Sequence, residues 1–436
     1  MTAAAPPRVT RAFRFFLYVL VFLQPFNHFN ALRIISLYGL LFLFLLRVVK
    51  YRERIGFSDP TVIGLGALAA WSFVSSVLGP YPLESLNAMR KTLIVEVLLF
   101  LAIFLEFRTL RELKPLLWVA VSGFSVVTGA AFLELAGTGF RFQDFLTLTR
   151  ETRAFAAGYA NSAGFYLPFV VMWLAALADG ERPWKRWIGY ATIALGIVLV
   201  VAYDSRTALV AVPLAILLIL LLNGRLKALG VGAVVIAALL SATVLLKPDA
   251  RVADRFHSLT KGQTYVTNTG LSGRLGIWTG VWQLIQDRPW LGYGYGWKKL
   301  AWVVRDSGYP AQWKTSAPDS YDYFVQITKL RYGAVNPHNL PLQIMFEIGL
   351  VGLALFLWLW GTVISRLPAL IRRGDSEARG VAFGALGILA AYALYNVTNG
   401  FWGGIYGNMM MVLMAVVCVA HRQTLVAART HVRERP

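Results

Sequence analysis

Cysteine is almost missing from this chain of 436 residues: Cys418 stands alone inside an apolar run. A single thiol excludes a disulfide framework and a CxxC metal or redox pair. Charge is scarce as well, at 15% of residues, and carboxylates are outnumbered by lysine and arginine, 22 against 42. Histidine occurs five times. Asp319 and Asp322 in SAPDSYDYF have no His or Glu cluster at metal-ligand spacing beside them, so they read as solvated loop carboxylates. No Walker A sequence is present, and GYGYG at 292–296 lacks the strand-before, helix-after context of a dinucleotide fingerprint. Its aromatic faces fit sugar stacking or anchoring at a membrane interface, and anchoring is favoured. The sequence contains no tandem repeat, no low-complexity linker and no separate soluble catalytic domain.

Apolar residues are what the chain has in excess. They make up 57% of it, and mean hydropathy is +0.58, a composition foreign to soluble domains. A helix needs roughly 17–25 largely apolar residues to cross ~30 Å of hydrocarbon. About twelve segments qualify: 12–29, 34–49, 61–78, 92–107, 115–136, 161–178, 187–203, 207–222, 226–246, 340–364, 380–397 and 403–420. The long Leu/Val/Ile/Ala runs lack the weak alternation of barrel strands, and lipid-exposed backbone must satisfy its own polar groups. The expected fold is therefore an all-α polytopic membrane protein. Basic residues precede the first span but no small-residue cleavage site follows it, so it reads as a retained helix.

Lysine and arginine accumulate on cytoplasmic loops. Placing the N-terminus inside puts Arg8, Arg11, Arg14, YRER, FRTLRELK, GERPWKR, NGRLK, SRLPALIRRGDSEAR and the basic tail on that side. Both termini are then cytoplasmic. The net charge of +20 reflects topology and not nucleic-acid binding. The organisation expected is spans one to nine in 1–246, a long outer loop in 247–339, spans ten to twelve in 340–420, and a cytoplasmic tail in 421–436, which either frays or lies on anionic lipid. Arg33, Arg90, Lys91, Arg141, Arg150, Arg153 and Arg206 fall on the outer side, against the bias. Each either snorkels or pairs structurally, or several converge on an anionic group.

The long loop opens irregularly, then becomes helical. In LSGRLGIWTGVWQLIQDRPW, Leu271, Leu275, Trp278, Trp282 and Ile285 recur at helical spacing, with Ser272 as a plausible N-cap. The expectation is an amphipathic helix on the outer surface with its tryptophans at headgroup depth. Arg274 falls in its first turn, where it either points to solvent or meets an anion. His338 closes the loop in NPHNLP, between two prolines and just before the tenth span. A helix N-terminus favours neutral imidazole, able to accept a proton, although a histidine at such a boundary is a weak signal alone.

Four ordered motifs carry a family resemblance across about residues 150–355: RAFAAGYANSAGFYLP, DSRTALV, SGRLGIW with DRPWLGYGYG, and NPHNLPLQIMFEIGLVG. Together they resemble the O-antigen ligase and polymerase superfamily of membrane glycosyltransferases, most closely its WaaL-type ligases. The resemblance implies a GT-C-like membrane fold and transfer of a glycan from undecaprenyl diphosphate to a sugar hydroxyl of lipid A-core at the periplasmic face of the bacterial inner membrane. It implies His338 as catalytic base, Arg206 and Arg274 on the lipid diphosphate, and Arg153, Asn161 and Asn339 in substrate binding. No cofactor or metal is expected, and membrane lipids are the only other partners. A polymerase of the same superfamily, a protein O-oligosaccharyltransferase and a lipid-linked oligosaccharide transporter are the competing readings. The longer C-terminal outer portion often found in the protein transferases is missing here, and repeated halves with polar residues at midplane, usual in transporters, are not seen.

Overall fold

The structure, a computed structural model, describes residues 5–139 apart from 27, 54 and 55, residues 159–225 apart from 204, residue 230, and residues 274–433. Among them only helices and turns occur. In chain order these are α1 (Pro7–Phe22), α2 (Asn30–Val49), α3 (Pro60–Val77), α4 (Pro82–Lys91), α5 (Leu93–Glu106), α6 (Leu110–Gly137), α7 (Tyr159–Ala176), α8 (Pro183–Ala202) and α9 (Arg206–Leu222). The long loop holds α10 (Arg274–Asp287), a 3-10 turn at Trp297–Lys299, α11 (Leu300–Asp306), α12 (Tyr309–Ser316), α13 (Pro318–Tyr321) and a π-helical turn at Asp322–Ile327. α14 (Leu340–Ile364), α15 (Leu367–Arg373), α16 (Ser376–Val397) and α17 (Ile405–Arg433) complete the chain.

The starts follow local chemistry. Asp59 precedes Pro60 and accepts from the Thr61 N–H at 2.8 Å, and Asp375 accepts from Ala378 N–H at 2.8 Å, each satisfying a donor that a helix leaves orphaned. Eleven of the expected spans coincide with described helices, whereas 226–246, residue 230 apart, lies outside the described residues. Among the described residues, seven helices are both long and apolar enough to cross a membrane. The chain is thus a multi-pass α-helical membrane protein. α1 and α5, at 16 and 14 residues, are too short for a straight crossing of the full hydrocarbon thickness.

α7 lies at the centre. Its residues from Ser162 to Trp173 are buried without a break, as a helix apolar on every face requires. α16 and α9 pack against it. A Cβ on Gly380 would meet that of Ala176 at 2.5 Å, and one on Gly384 would strike the Met172 side chain, so the small residues four apart let α16 and α7 approach closely.

α14 is broken at Ile348 and Gly349, the latter at φ +70°. The loop around GYGYG enters the gap: Tyr293 N–H donates to Phe346 O at 2.8 Å and Leu350 N–H donates to Pro289 O at 2.7 Å. From α3, Trp71 Nε1 donates to Ile348 O at 2.8 Å and Ser75 Oγ donates to Leu291 O at 2.6 Å. The backbone groups freed by the break are therefore satisfied by protein. This corrects the interface-anchoring expectation, because Tyr293 and Tyr295 are only 7% and 3% exposed.

A second apolar cluster organises the long loop, with Ile277, Val281, Leu284, Trp313, Phe324 and Phe346 among its members. α10 presents the expected stripe only in part: Ile285 is buried and Trp278 packs against this cluster. Its buried face is Ile277, Gly280, Val281, Leu284 and Ile285, while Trp282 is exposed. The physical cause is glycine: Gly276 lies against the Asp319 backbone and Gly280 against the Phe324 and Trp313 rings, so the smooth side of the helix docks inward. Leu271 and Ser272 lie outside the described residues, and Asp319 and Asp322 are exposed.

Candidate functional site

His338 sits in a turn that its neighbours dictate. Pro337 biases Asn336 towards extended backbone, and Asn336 Oδ1 accepts from the His338 N–H at 2.7 Å, an Asx turn. His338 takes φ +51°, a left-handed conformation that costs a side-chain-bearing residue energy and is held by the surrounding bonds. Asn339 then caps α14: its Oδ1 accepts from Leu342 N–H at 3.0 Å, and its Nδ2 donates to Val397 O at 3.1 Å. Its amide is thereby engaged at both ends by backbone.

α9 docks at the same place. Ser205 caps it, Arg206 is its first residue, and Thr207 Oγ1 lies 3.1 Å from Thr398 Oγ1. Thr398 follows Val397, the acceptor of Asn339. The backbones of Arg206 and His338, each one residue from such a bond, are thus brought to one spot at the end of α16.

Arg274 opens α10 and acts on His338 electrostatically. The imidazole is pushed down to about 4, first by burial and then by the Arg274 guanidinium, so it is neutral at physiological pH. Tyr323, carried on the π-helical turn, also feels Arg274, although burial is the larger influence and raises its phenol. Tyr323 went unnoticed in the sequence, where nothing marks a π turn. Asn161 lies in the first turn of α7 and hydrogen-bonds, with Ser162, to the Tyr406 side chain. Arg153 lies outside the described residues.

Beneath this turn runs a buried polar chain that sequence reasoning also missed. Gln343 Nε2 donates to Glu347 Oε1 at 2.7 Å, and Gly296 N–H donates to Glu347 Oε2 at 2.6 Å. Lys299, 1% exposed, donates to the carbonyls of Gly294, Tyr295 and Gly296 at 2.6, 2.8 and 2.7 Å, one for each N–H of the ammonium. Burial pushes the Lys299 ammonium below its ordinary value, and the nearby Glu347 opposes this. The carbonyls can gather because Gly292, Gly294 and Gly296 all take positive φ, which glycine adopts without a Cβ penalty. The signal was in the sequence as the alternate glycines of GYGYG. Among the described residues, no three His, Cys, Asp or Glu side chains assemble as metal ligands.

The structure therefore defines a multi-pass membrane protein with a neutral histidine and an arginine at one end of its bundle, capped by a folded loop. Residues 190–357 match the family model described as O-antigen ligase, a stretch containing Arg206, Arg274, His338 and Asn339. The chain is 26% identical over 282 residues to the O-antigen ligase of Pseudomonas aeruginosa, covering 62% of this chain and 55% of that protein. It is 31% identical over 170 residues to the O-antigen ligase of Salmonella typhimurium, covering 37% and 35%. The chain thus spans about half the length of the first of these relatives and about a third of the second. The family match and both relatives thus agree on one likeness, to O-antigen ligases.

Proposed function

We propose that the chain is an O-antigen ligase that transfers a glycan from undecaprenyl diphosphate to a sugar hydroxyl of lipid A-core. The acceptor oxygen attacks C1 of the first donor sugar, the C1–O bond to the diphosphate breaks, and the acceptor proton passes to His338. Undecaprenyl diphosphate leaves with the bonding electrons, and direct attack inverts the anomeric centre. The observation that carries this reading is His338 itself, half-buried in its turn, neutral and within the field of Arg274. Arg274 and Arg206 neutralise charge growing on the leaving diphosphate, with planar guanidinium forks suited to phosphate oxygens. No divalent metal enters this scheme.

The arrangement also links donor binding to base strength. An anionic diphosphate on Arg274 offsets the positive field at His338, so the imidazole becomes a stronger base once the donor is bound. Reconstituted transfer with purified donor and acceptor lipids tests the function. The expected product is glycan on lipid A-core with inverted configuration, formed equally in EDTA. An elongated lipid-linked glycan in its place would identify a polymerase, and strict dependence on added Mg²⁺ would contradict the arginine-only stabilisation.

A further inference from the structure

A cavity lies at the other end of the bundle from His338. It has a volume of about 750 Å³ and is bordered by the ends of α3, α5, α14 and α17. His338 precedes α14, whereas Thr362, Ser365 and Arg366 at its far end line the cavity, so roughly 35 Å of helix separates the two places at 1.5 Å per residue. The cavity is well within the size of a small-molecule site, which spans roughly 300–1,000 Å³.

Its charge is one-sided. Arg108, Arg366, Arg422 and Arg429 line it with a single carboxylate, Asp59. Asp59 is already matched by Arg366, whose Nη2 donates to it at 2.6 Å. Arg422 donates through its Nη atoms to the carbonyls of Phe104 and Phe107, and its Nε is buried with no hydrogen-bond partner. Some basic residues at this end do have acids: Arg14 and Arg47 share Glu106, and Lys114 pairs with Glu377. Among the described residues, Arg108, Arg422 and Arg429 have no carboxylate in salt-bridge range. Guanidinium groups gathered in a concavity beside a buried unpaired donor are costly unless an anion joins them. Phe104, Leu105 and Leu425 give the same cavity an apolar side.

We propose that this cavity binds a phosphate-bearing anion, either the phosphodiester of an anionic lipid headgroup or a soluble phosphate. Basic pockets between transmembrane helices recognise lipid headgroups in this way, and the apolar side suits the glycerol and upper acyl chain of a lipid. The site is separate from the glycan-transfer site and does not depend on that reading.

The test uses the full-length purified protein, delipidated and titrated with phosphatidylglycerol or phosphatidylcholine, with bound lipid counted by native mass spectrometry. Two variants are compared: Arg108→Gln/Arg429→Gln, both exposed and free of buried contacts, and Arg372→Gln/Arg373→Gln, an equal charge loss on α15 outside the cavity. Phosphatidylglycerol is expected to bind at least tenfold tighter than phosphatidylcholine, a preference lost in the first variant and kept in the second. Resistance of that binding to 10 mM inorganic phosphate or diphosphate assigns the site to lipid, and displacement by either supports the site with a soluble phosphate as its ligand. Equal binding of the two lipids, or equal loss of preference in both variants, would overturn the proposal.

Discussion

At His338 burial and the Arg274 charge act in the same direction, since both disfavour imidazolium. The folded value of about 4 lies below the ordinary value near 6.5, so the imidazole is neutral across the physiological range. The acid limb of kcat/KM that belongs to this group is expected near pH 4, and that of kcat at higher pH, because bound diphosphate offsets Arg274. Steady-state pH profiles measure both. Arg274→Gln removes one of the two depressing influences, so its kcat/KM limb should move upwards while its rate falls by roughly 10²–10³-fold, the usual effect of losing one charge-stabilising donor. For stability the sign is also fixed. Between about pH 6.5 and 4 the unfolded chain gains a proton at this position that the folded chain does not, so the His338 contribution is complete above that window and is lost as pH falls through it.

The elements explain why the site holds its shape. α14 cannot run straight through Gly349, where a Cβ would collide with the Trp290 carbonyl and φ is positive. Gly349→Ala is therefore expected to lower thermal stability in detergent by at least about 1–2 kcal/mol, the left-handed penalty alone. Lys299→Met leaves three buried carbonyls without their donor and should cost about 3 kcal/mol or more, read as a fall in Tm together with loss of transfer. An unchanged Tm for Lys299→Met would remove Lys299 from this structural role. The glycines at 292, 294 and 296 were visible in the sequence, but their purpose was not, because it depends on a helix break more than fifty residues downstream. Likewise, apolar spacing indicated α10 and placed Ile285 and Trp278 on its packed side, but it set Trp282 on that side as well. Counting large apolar residues weighs Trp282 heavily and Gly276 and Gly280 not at all, yet close approach through glycine decided the docking.

Across the whole molecule, hydropathy alone located the seven described helices long and apolar enough to cross a membrane, since each must bury or immerse a long apolar run. The motifs carrying His338 and Arg274 were legible for a different reason: rare polar residues beside spans stand out against an apolar background. What sequence order could not supply was the meeting of α9 and the His338 turn at Val397 and Thr398, which arises from three segments packed together. The orientation expected from basic residues remains a prediction with a direct check. Cys418 is the one cysteine, so a Cys418→Ala background permits single-site labelling. Asp322→Cys should react with a membrane-impermeant maleimide in intact spheroplasts, and Arg373→Cys only after permeabilisation. The reverse pattern would invert the topology.

The central claim is that His338 accepts the acceptor proton. Single-turnover transfer by purified His338→Ala, with donor binding and thermal stability measured on the same sample, tests it most directly. The transfer rate is expected to fall by about 10²–10⁴-fold, the usual contribution of a general base, with donor affinity and Tm close to those of the unmodified protein. Transfer within a few-fold of the unmodified rate would contradict it.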